Sequence, residues 1–267
     1  MLLVELRKLV RRPRTWVSIG LLAGLPTLVA IFLKITGIGP RPGEGPAFLG
    51  AVLSNGALFP AAALALVLPV FLPVAVSVMA GDAVAGEANH GTLRYLLIRP
   101  VGRTRLLVAK LAVTIVFVFL AVLVVAAVAF VVGATMFGVK PLPSVSGQTI
   151  AAQDATLRTV VTVVYVAWSM LGVGAIALFA STLTDSPLAA ALGALAALVT
   201  SQVLDLLDAA ASVKPYLPTH YWLSFVDLFR VPILWHGVAR GFAIQGVYIL
   251  VFLGAAWANF ATKDVKS

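Results

Sequence analysis

Six long apolar segments constrain this chain more than any other feature of its sequence. Each has the length of about 20 residues or more that an α-helix needs to cross roughly 30 Å of hydrocarbon. Because lipid offers backbone groups no hydrogen-bond partners, such segments must be helical. The sequence therefore predicts an all-α integral membrane protein with six transmembrane helices. The predicted spans are Trp16–Thr36, Leu58–Ala80, Leu106–Ala134, Val160–Thr182, Pro187–Leu207 and Phe242–Ala261.

Two of these spans have features that should alter their geometry. The third is too long for a straight perpendicular span, so we expect it to tilt or to begin in the cytoplasm near Lys110. Pro69 and Pro73 stand one turn apart in the second span and should kink it.

The spans and their connections are expected to form a single transmembrane domain over residues 1–267. Its segments 1–14, 81–105 and 209–241 carry distinctive patterns outside the spans.

The composition supports a membrane protein and restricts the kinds of partner and chemistry that it can have. The chain is 61% hydrophobic and 11% charged, whereas soluble domains are about 25% charged. Its net charge of +9 does not indicate nucleic acid, because Lys and Arg gather in cytoplasmic segments and meet anionic membrane lipids there. The absence of cysteine excludes disulfides, thiolate metal sites and cysteine nucleophiles.

The distribution of basic residues predicts the orientation. The loop between the first two spans has only Arg41, with Lys34 at its edge. Basic residues concentrate instead before the first span, between the second and third, and after the last. They are Arg7, Lys8, Arg11, Arg12, Arg14, Arg94, Arg99, Arg103, Arg105, Lys263 and Lys266. This bias places both termini and the 81–105 loop in the cytoplasm, and Lys214, Arg230 and Arg240 weaken it without reversing it.

Residues 1–14 predict an amphipathic helix that lies in the headgroup plane. Apolar side chains, including Leu2, Leu6 and Leu9, fall within one arc of about 120°. The opposite side is charged and includes Arg7, Arg11 and Arg12. Pro13 should end this helix, and Trp16 suits an interfacial anchor for the first span. The alternative is a topology signal whose amphipathicity is incidental.

The 81–105 loop predicts a docking element. Asp82 and Glu87 prolong the second span into water, and Gly91 with Thr92 offers a break and an N-cap. A short helix should follow over Leu93–Arg99, and Pro100 then begins a turn. The apolar face of that helix comprises Leu93, Leu96 and Leu97. A short helix parallel to the membrane suits a socket on a partner protein, and the alternative is a solvated loop with a lipid-bound face.

This loop, GDAVAGEANHGTLRYLLIRPVGRTRLLVAK, resembles the cytoplasmic loop of ABC-2-type transporter permeases of the compact six-span bacterial kind. Those proteins show an acid near the end of the second span, then Glu, Gly-Thr-Leu, Pro-x-x-Arg and a Lys in the next span. The matching positions are Asp82, Glu87, Gly91, Thr92, Leu93, Pro100, Arg103 and Lys110. The basic N-terminus, span count and length also agree with the resemblance.

The resemblance implies a division of labour in a bacterial cytoplasmic membrane. This chain would be half of a dimeric export pathway, paired with a second copy or a paralogue. An ATP-binding-cassette ATPase would carry the ATP and Mg²⁺, with no cofactor in this chain. The chain has no G-x-x-x-x-G-K-[ST] motif, so we expect it not to be an enzyme. The predicted coupling surface is Asp82, Glu87, Gly91, Thr92, Leu93, Leu96, Leu97, Pro100 and Arg103.

Residues 209–241 form the second unusual segment, which is rich in aromatic residues and punctuated by prolines. His220–Val231 could form an amphipathic helix at the outer leaflet, where Tyr and Trp favour the interface. In the resembling family this region lies beside the extracellular exit. It is therefore a candidate gate, and a plain interfacial belt is the alternative. The candidate gate residues are Tyr221, Trp222, Phe225 and Phe229. The spacings of His220, Asp227 and His236 match no metal site.

Two other classes of membrane protein are weaker alternatives. An ATP-independent secondary transporter or channel predicts paired charges at mid-span or a repeat between halves, and neither is evident. A membrane-embedded enzyme would need clustered catalytic groups at membrane depth. Gln202, Asp205 and Asp208 share a face of the fifth span, but they lie near its outer end, where hydration is ordinary.

The apolar composition favours a lipophilic or amphipathic cargo.

Overall fold

The computed structural model describes residues 2–39, 49–53, 55–89, 102–139, 142–143, 149–150 and 152–262. Within these ranges the chain is almost entirely helical, apart from an antiparallel pairing of Leu142–Pro143 (β1) with Thr149–Ile150 (β2). The helices are α1 (Leu2–Arg11), α2 (Pro13–Thr36), α3 (Leu49–Val52), α4 (Phe59–Val67), α5 (Phe71–Asn89), α6 (Arg103–Phe137), α7 (Ala152–Leu183), α8 (Pro187–Leu206) and α9 (Trp235–Thr262). Short 3₁₀ helices are Gly56–Leu58, Asp208–Ala210, Lys214–Tyr216 and Trp222–Phe229.

Six of these helices are long and apolar enough to cross a membrane, namely α2, α5, α6, α7, α8 and α9. The predicted all-α membrane fold is thereby confirmed. α7 lies at the centre and packs against α5, α6, α8 and α9. The core between these helices is built from fully buried side chains such as Phe117, Met170 and Leu72.

The second predicted span is broken at its prolines. Leu58–Ala80 is not one helix: α4 ends at Val67 and α5 starts at Phe71. Pro73 has no N–H to donate to the Pro69 carbonyl four residues earlier, so that carbonyl needs another donor. Gln202 of α8 supplies it, with its side-chain amide 2.7 Å from the oxygen. The predicted kink is thus present, and a neighbouring helix satisfies the carbonyl that the kink frees.

The last span begins earlier than its hydropathy indicated. α9 starts at Trp235 and not at Phe242, so residues 235–241 belong to this helix and not to the loop. The helix expected over His220–Val231 is an eight-residue 3₁₀ helix, Trp222–Phe229. The polar and basic residues His236 and Arg240 depress hydropathy over the first two turns of α9, which explains the late predicted start.

A sharp elbow separates α1 from α2. Arg12 between them is extended, with φ −77° and ψ 121°, because proline disfavours helical geometry in the residue before it. Pro13 then opens α2, where its missing N–H costs nothing. The Trp16 indole donates to the Val10 carbonyl at 2.7 Å and satisfies one of the last acceptors of α1. α1 consequently folds back onto α6.

The helices define two ends of the bundle. The N-terminal end holds α1, the end of α5, the start of α6 and the end of α9. There the Arg103 guanidinium donates to the Ala261 carbonyl at 2.9 Å. The opposite, distal end holds the end of α2, where Lys34 donates to the Met136 carbonyl at 2.6 Å. Residues 208–234, called the cap here, also lie at the distal end and connect α8 to α9.

Candidate functional site

The N-terminal end contains a cluster of charged side chains between α1, α5 and α6. The cluster surrounds a small cleft that Glu5, Lys8, Arg12, Asp82 and Lys110 line together with apolar neighbours. Charges so close to apolar spans are costly unless they are paired. Every one of these five side chains has an ionic partner, and the cluster consists of two units.

The first unit is a closed ring of four alternating charges, called the ion ring here. Lys8 lies 2.8 Å from Glu5, and Glu5 lies 2.7 Å from Lys110. Lys110 lies 3.0 Å from Glu87, and Glu87 lies 3.0 Å from Lys8. Three helices contribute to it: α1 provides Glu5 and Lys8, α5 provides Glu87 and α6 provides Lys110. The ring therefore joins α1 to two segments that are remote in sequence.

The ion ring is largely withdrawn from solvent. Lys110 is only 5% exposed, Glu5 7% and Glu87 9%, whereas the Lys8 side chain reaches the surface. Burial opposes ionisation of Glu5, but hydrogen bonds from Lys110 and Lys8 outweigh it and lower the pKa of this carboxyl. Burial likewise opposes the charge of Lys8, and its bonds to Glu5 and Glu87 outweigh it and raise the Lys8 pKa. Both groups are thus held in their charged forms.

The second unit holds the elbow. One oxygen of Asp82, Oδ2, accepts from Arg12 at 2.7 Å and lies 2.8 Å from Arg14. Because the two arginines flank Pro13, a single carboxylate of α5 fixes both sides of the bend between α1 and α2. Asp82 is 6% exposed. Gly86 makes room for it, since a Cβ at that position would lie 2.5 Å from Asp82 Oδ1.

The orientation of α1 differs in part from the predicted one. Its side toward the bundle combines Glu5, Lys8, Leu9 and Arg12, which recur with helical spacing. Leu9 and Glu5 are buried, and Arg12 binds Asp82. Leu2, Arg7 and Arg11 are exposed and Leu6 is partly exposed, so these four remain available for the interfacial role. The apolar arc and the side toward the bundle share only Leu9. The charged residues on that side can face the bundle because they form ion pairs with α5 and α6.

The predicted coupling residues occupy different positions. Asp82 and Glu87 do not extend into water; both carboxylates are buried in the cluster. Arg103 starts α6 and binds the Ala261 carbonyl of α9. The remaining predicted members lie outside the described residues: Gly91, Thr92, Leu93, Leu96, Leu97 and Pro100. Asp82 and Glu87 of the cluster therefore lie at the start of the 81–105 loop, ahead of these six residues in sequence.

The site also contains three residues that no sequence motif marks, namely Glu5, Lys8 and Arg14. The one local signal was the i, i+3 spacing of Glu5 and Lys8, which places both on one helix face. Lys110 matches the family pattern and marks the expected cytoplasmic start of the third span, but neither feature places it in an ion ring. A lysine within an apolar span requires a buried counter-charge, but the sequence does not say which acid supplies it.

The cap, which contains the candidate gate residues, is packed on the distal end. Trp222, Phe225 and Phe229 are at most 3% exposed and join the main core, while Tyr221 is partly exposed. Polar side chains within the spans bind the cap backbone. Tyr165 donates to the Tyr221 carbonyl at 2.6 Å.

Further polar anchors come from α7, α8 and α9. Arg158 donates to the Leu228 and Arg230 carbonyls at 2.8 and 2.9 Å. Gln245 donates to the Pro218 carbonyl, and His220 pairs with Asp205. The polar residues of the distal half of the bundle therefore attach the cap to three spans.

Comparison with known proteins identifies the family. A family model described as ABC-2 family transporter protein matches residues 1–191, which include all members of the charge cluster. The chain belongs to this family, whose members are membrane-spanning permease components of ABC transporters and are not themselves catalytic. Membership implies association with ABC ATPase subunits. No curated protein matches the chain.

Proposed function

We propose that this chain is one half of the translocation pathway of an ATP-driven exporter and couples to a separate ATPase through its 81–105 loop. The observation that carries the proposal is the buried charge cluster at the start of that loop. Asp82 and Glu87 fasten the end of α5 to α1, α2 and α6. A force applied to the loop would therefore act directly on three other helices.

The proposal assigns the N-terminal end to the cytoplasm. Its support is the excess of Lys and Arg before α2 and in the 81–105 loop. With that orientation the ATPase approaches the end that holds the cluster, and the cap faces outward. α1 would lie at the cytoplasmic surface, where its exposed Arg7 and Arg11 meet anionic lipid headgroups.

The cap would then act as the outer lid of the pathway, with Tyr221, Trp222, Phe225 and Phe229 as its gate residues. Three of these side chains are buried against the spans. The backbone of the cap is held by hydrogen bonds that α7 and α9 donate to the Tyr221 and Pro218 carbonyls. A cargo leaving on this side would have to displace them. Completion of the pathway requires a second copy or a paralogue, and the apolar spans favour a lipophilic or amphipathic cargo.

The test is co-purification with an ATP-binding-cassette ATPase co-expressed with this chain from the same source. Tagged wild-type protein should recover that ATPase in stoichiometric amount. A Leu96→Asp, Arg103→Glu variant should lose it, because it places charge on the predicted apolar face and reverses charge at the start of α6. Arg240→Glu makes a matched charge reversal at an exposed residue of the distal end and should retain the ATPase.

Two results would contradict the proposal. One is an inserted, monodisperse wild-type protein that recovers no ATPase, which would favour the channel or secondary-transporter alternative. The other is equal loss of the ATPase from the distal-end variant, because the effect would then not be specific to the loop.

A further inference from the structure

The elbow unit of the charge cluster carries one more positive charge than negative charges. Arg12 and Arg14 converge on a single oxygen, Oδ2 of Asp82, at 2.7 and 2.8 Å. Neither arginine has another ionic partner within the part of the chain that the structure describes. The ion ring beside them joins two carboxylates to two ammonium groups and is balanced by itself. The surplus charge therefore belongs to the two arginines at the bend between α1 and α2.

The surplus charge lies on the accessible side of the elbow. Two guanidinium groups that share one carboxylate oxygen are close enough to repel each other, and Asp82 compensates only one of them. Asp82 is buried, whereas the side chains of Arg12 and Arg14 are 36% and 43% exposed. A second anion that contacted the two arginines from outside would relieve the repulsion that Asp82 leaves.

The guanidinium group is well suited to a phosphate as that second anion. It presents five N–H donors in a planar fork, which matches the oxygens of a phosphate group. Arg12 directs Nη1 toward Asp82, and Arg14 directs Nη2. Each arginine therefore retains N–H groups that Asp82 does not occupy.

The surroundings favour the phosphate of a membrane lipid over a free phosphate ion. Arg14 lies in the first turn of α2, at the level where a span enters the hydrocarbon and headgroup phosphates lie. Val17, Leu21 and Leu28 follow it at helical spacing on the same side of α2, and all three are exposed. Trp16, an aromatic residue of the kind that favours the membrane interface, is exposed beside them. A lipid whose phosphate contacts the arginines would place its acyl chains along this apolar face.

We propose that Arg12 and Arg14 form a binding site for the phosphodiester headgroup of an anionic membrane lipid. A phosphodiester carries one negative charge, which equals the surplus of the elbow unit. The site is distinct from Arg7 and Arg11, which lie on the exposed side of α1. Lipid binding at the elbow requires no ATPase.

Thermal unfolding of the protein in a neutral detergent tests the site with three added probes. Phosphatidylglycerol supplies an anionic phosphodiester on acyl chains. Phosphatidylcholine has the same chains with a zwitterionic headgroup, and inorganic phosphate is the anion without chains. A probe that binds one site at about a hundredfold over its dissociation constant should raise Tm by roughly 5–10 °C. We expect that rise with phosphatidylglycerol alone, and native mass spectrometry should find one such lipid retained per chain.

Two single substitutions remove the surplus charge and still leave Asp82 paired. Arg14→Gln keeps the pair with Arg12, and Arg12→Gln keeps the pair with Arg14. Each variant should lose both the rise in Tm with phosphatidylglycerol and the retained lipid. If one of them fails to fold, the other carries the test. Arg105→Gln is the matched control, because it removes the same charge from an exposed residue at the same end of the bundle, and it should respond like wild type.

An Asp82→Asn variant changes the charge balance in the opposite direction. Loss of the carboxylate doubles the surplus on the two arginines, which then have no anion between them. Its Tm in detergent alone should be lower than that of wild type. Phosphatidylglycerol should raise it by more than it raises the wild-type value.

Three results would overturn the lipid site. Equal rises of Tm with phosphatidylglycerol and phosphatidylcholine would show that acyl chains suffice. An equal rise with inorganic phosphate would assign the arginines to a free anion. Arg12→Gln and Arg14→Gln variants that respond like Arg105→Gln would reduce the effect to general charge attraction. All of these measurements are made without an ATPase, so they fail or succeed separately from the proposed function.

Discussion

Replacing Lys110 with methionine would remove the one ion-ring cation that is itself buried. Lys110 contacts Glu5 at 2.7 Å and Glu87 at 3.0 Å. Removing one partner of a buried ion pair costs about 3–5 kcal/mol, because the remaining charge stays unpaired. Lys8 still contacts both carboxylates and its side chain is 39% exposed, so the lower figure applies. We expect a loss of about 3 kcal/mol.

The assay is thermal unfolding of the solubilised protein followed by tryptophan fluorescence. For a chain of this size about 1 kcal/mol corresponds to roughly 2–4 °C, so Tm should fall by roughly 6–12 °C. Lys34→Met is the control, since Lys34 is exposed at the distal end. K110M combined with E5Q and E87Q should recover most of the loss, because no unpaired carboxylate then remains.

The pH dependence of Tm in the K110M variant shows whether the unpaired carboxylates cause the loss of stability. Without Lys110 the pKa of Glu5 is no longer held down by that partner, so the carboxyl accepts a proton more readily. Protonation removes the repulsion between Glu5 and Glu87, which Lys110 separates in the wild-type protein. The Tm difference between variant and wild type should therefore be largest above neutral pH and shrink as the pH falls. A pH-independent decrease no larger than that of Lys34→Met would refute the reasoning.

Three further predictions concern α1, α5 and α8. Gly86→Ala should lower the free energy of unfolding by about 1–3 kcal/mol and weaken the Asp82 contacts at the elbow, because its Cβ would collide with the Asp82 carboxylate. A spin label on α1 should then become more mobile. Gln202→Leu should cost about 1–3 kcal/mol, because the Pro69 carbonyl loses its donor; unfolding by heat measures the loss. In wild-type protein the α1 label should become mobile only as the pH falls below 4.5, because the Glu5 pKa is lowered.

Each of these predictions has a matched control or a contrary outcome. Gly24→Ala introduces the same methyl group where nothing lies within 4 Å, and it should leave α1 in place. Thr200→Ala removes a hydroxyl of α8 that bonds within its own helix, and it should change Tm far less than Gln202→Leu. Release of α1 near neutral pH would contradict the acid prediction, since Glu5 is fully ionised there.

The spans could be predicted from hydropathy because membrane thickness fixes their minimum length. The kink at Pro69 and Pro73 was equally predictable, since proline lacks the N–H that the helical ladder needs. The donor that compensates for it, Gln202, was not predictable, because it lies 133 residues away in sequence. The start of α9 at Trp235 was not predictable from hydropathy either. Polar residues in its first turns lower the hydropathy there, although the segment is helical in the folded protein.

The site was predicted less completely than the fold. The pattern singled out Asp82, Glu87 and Lys110, but it could not show that the two acids point toward α1 and away from solvent. Amphipathicity analysis treats Glu5 and Lys8 as polar surface, whereas in three dimensions their charges cancel against α5 and α6. Charge pairing between remote segments leaves no periodic signal in a single sequence.

Crosslinking from the loop tests the central claim most directly. The chain has no cysteine, so a single cysteine at Leu96 can carry a short photoreactive crosslinker. A matched cysteine at Leu206, which is 82% exposed at the distal end, serves as the comparison. We expect a crosslink to the co-expressed ATPase from position 96 and none from position 206. A crosslink from position 206, or from neither position in an assembled complex, would contradict it.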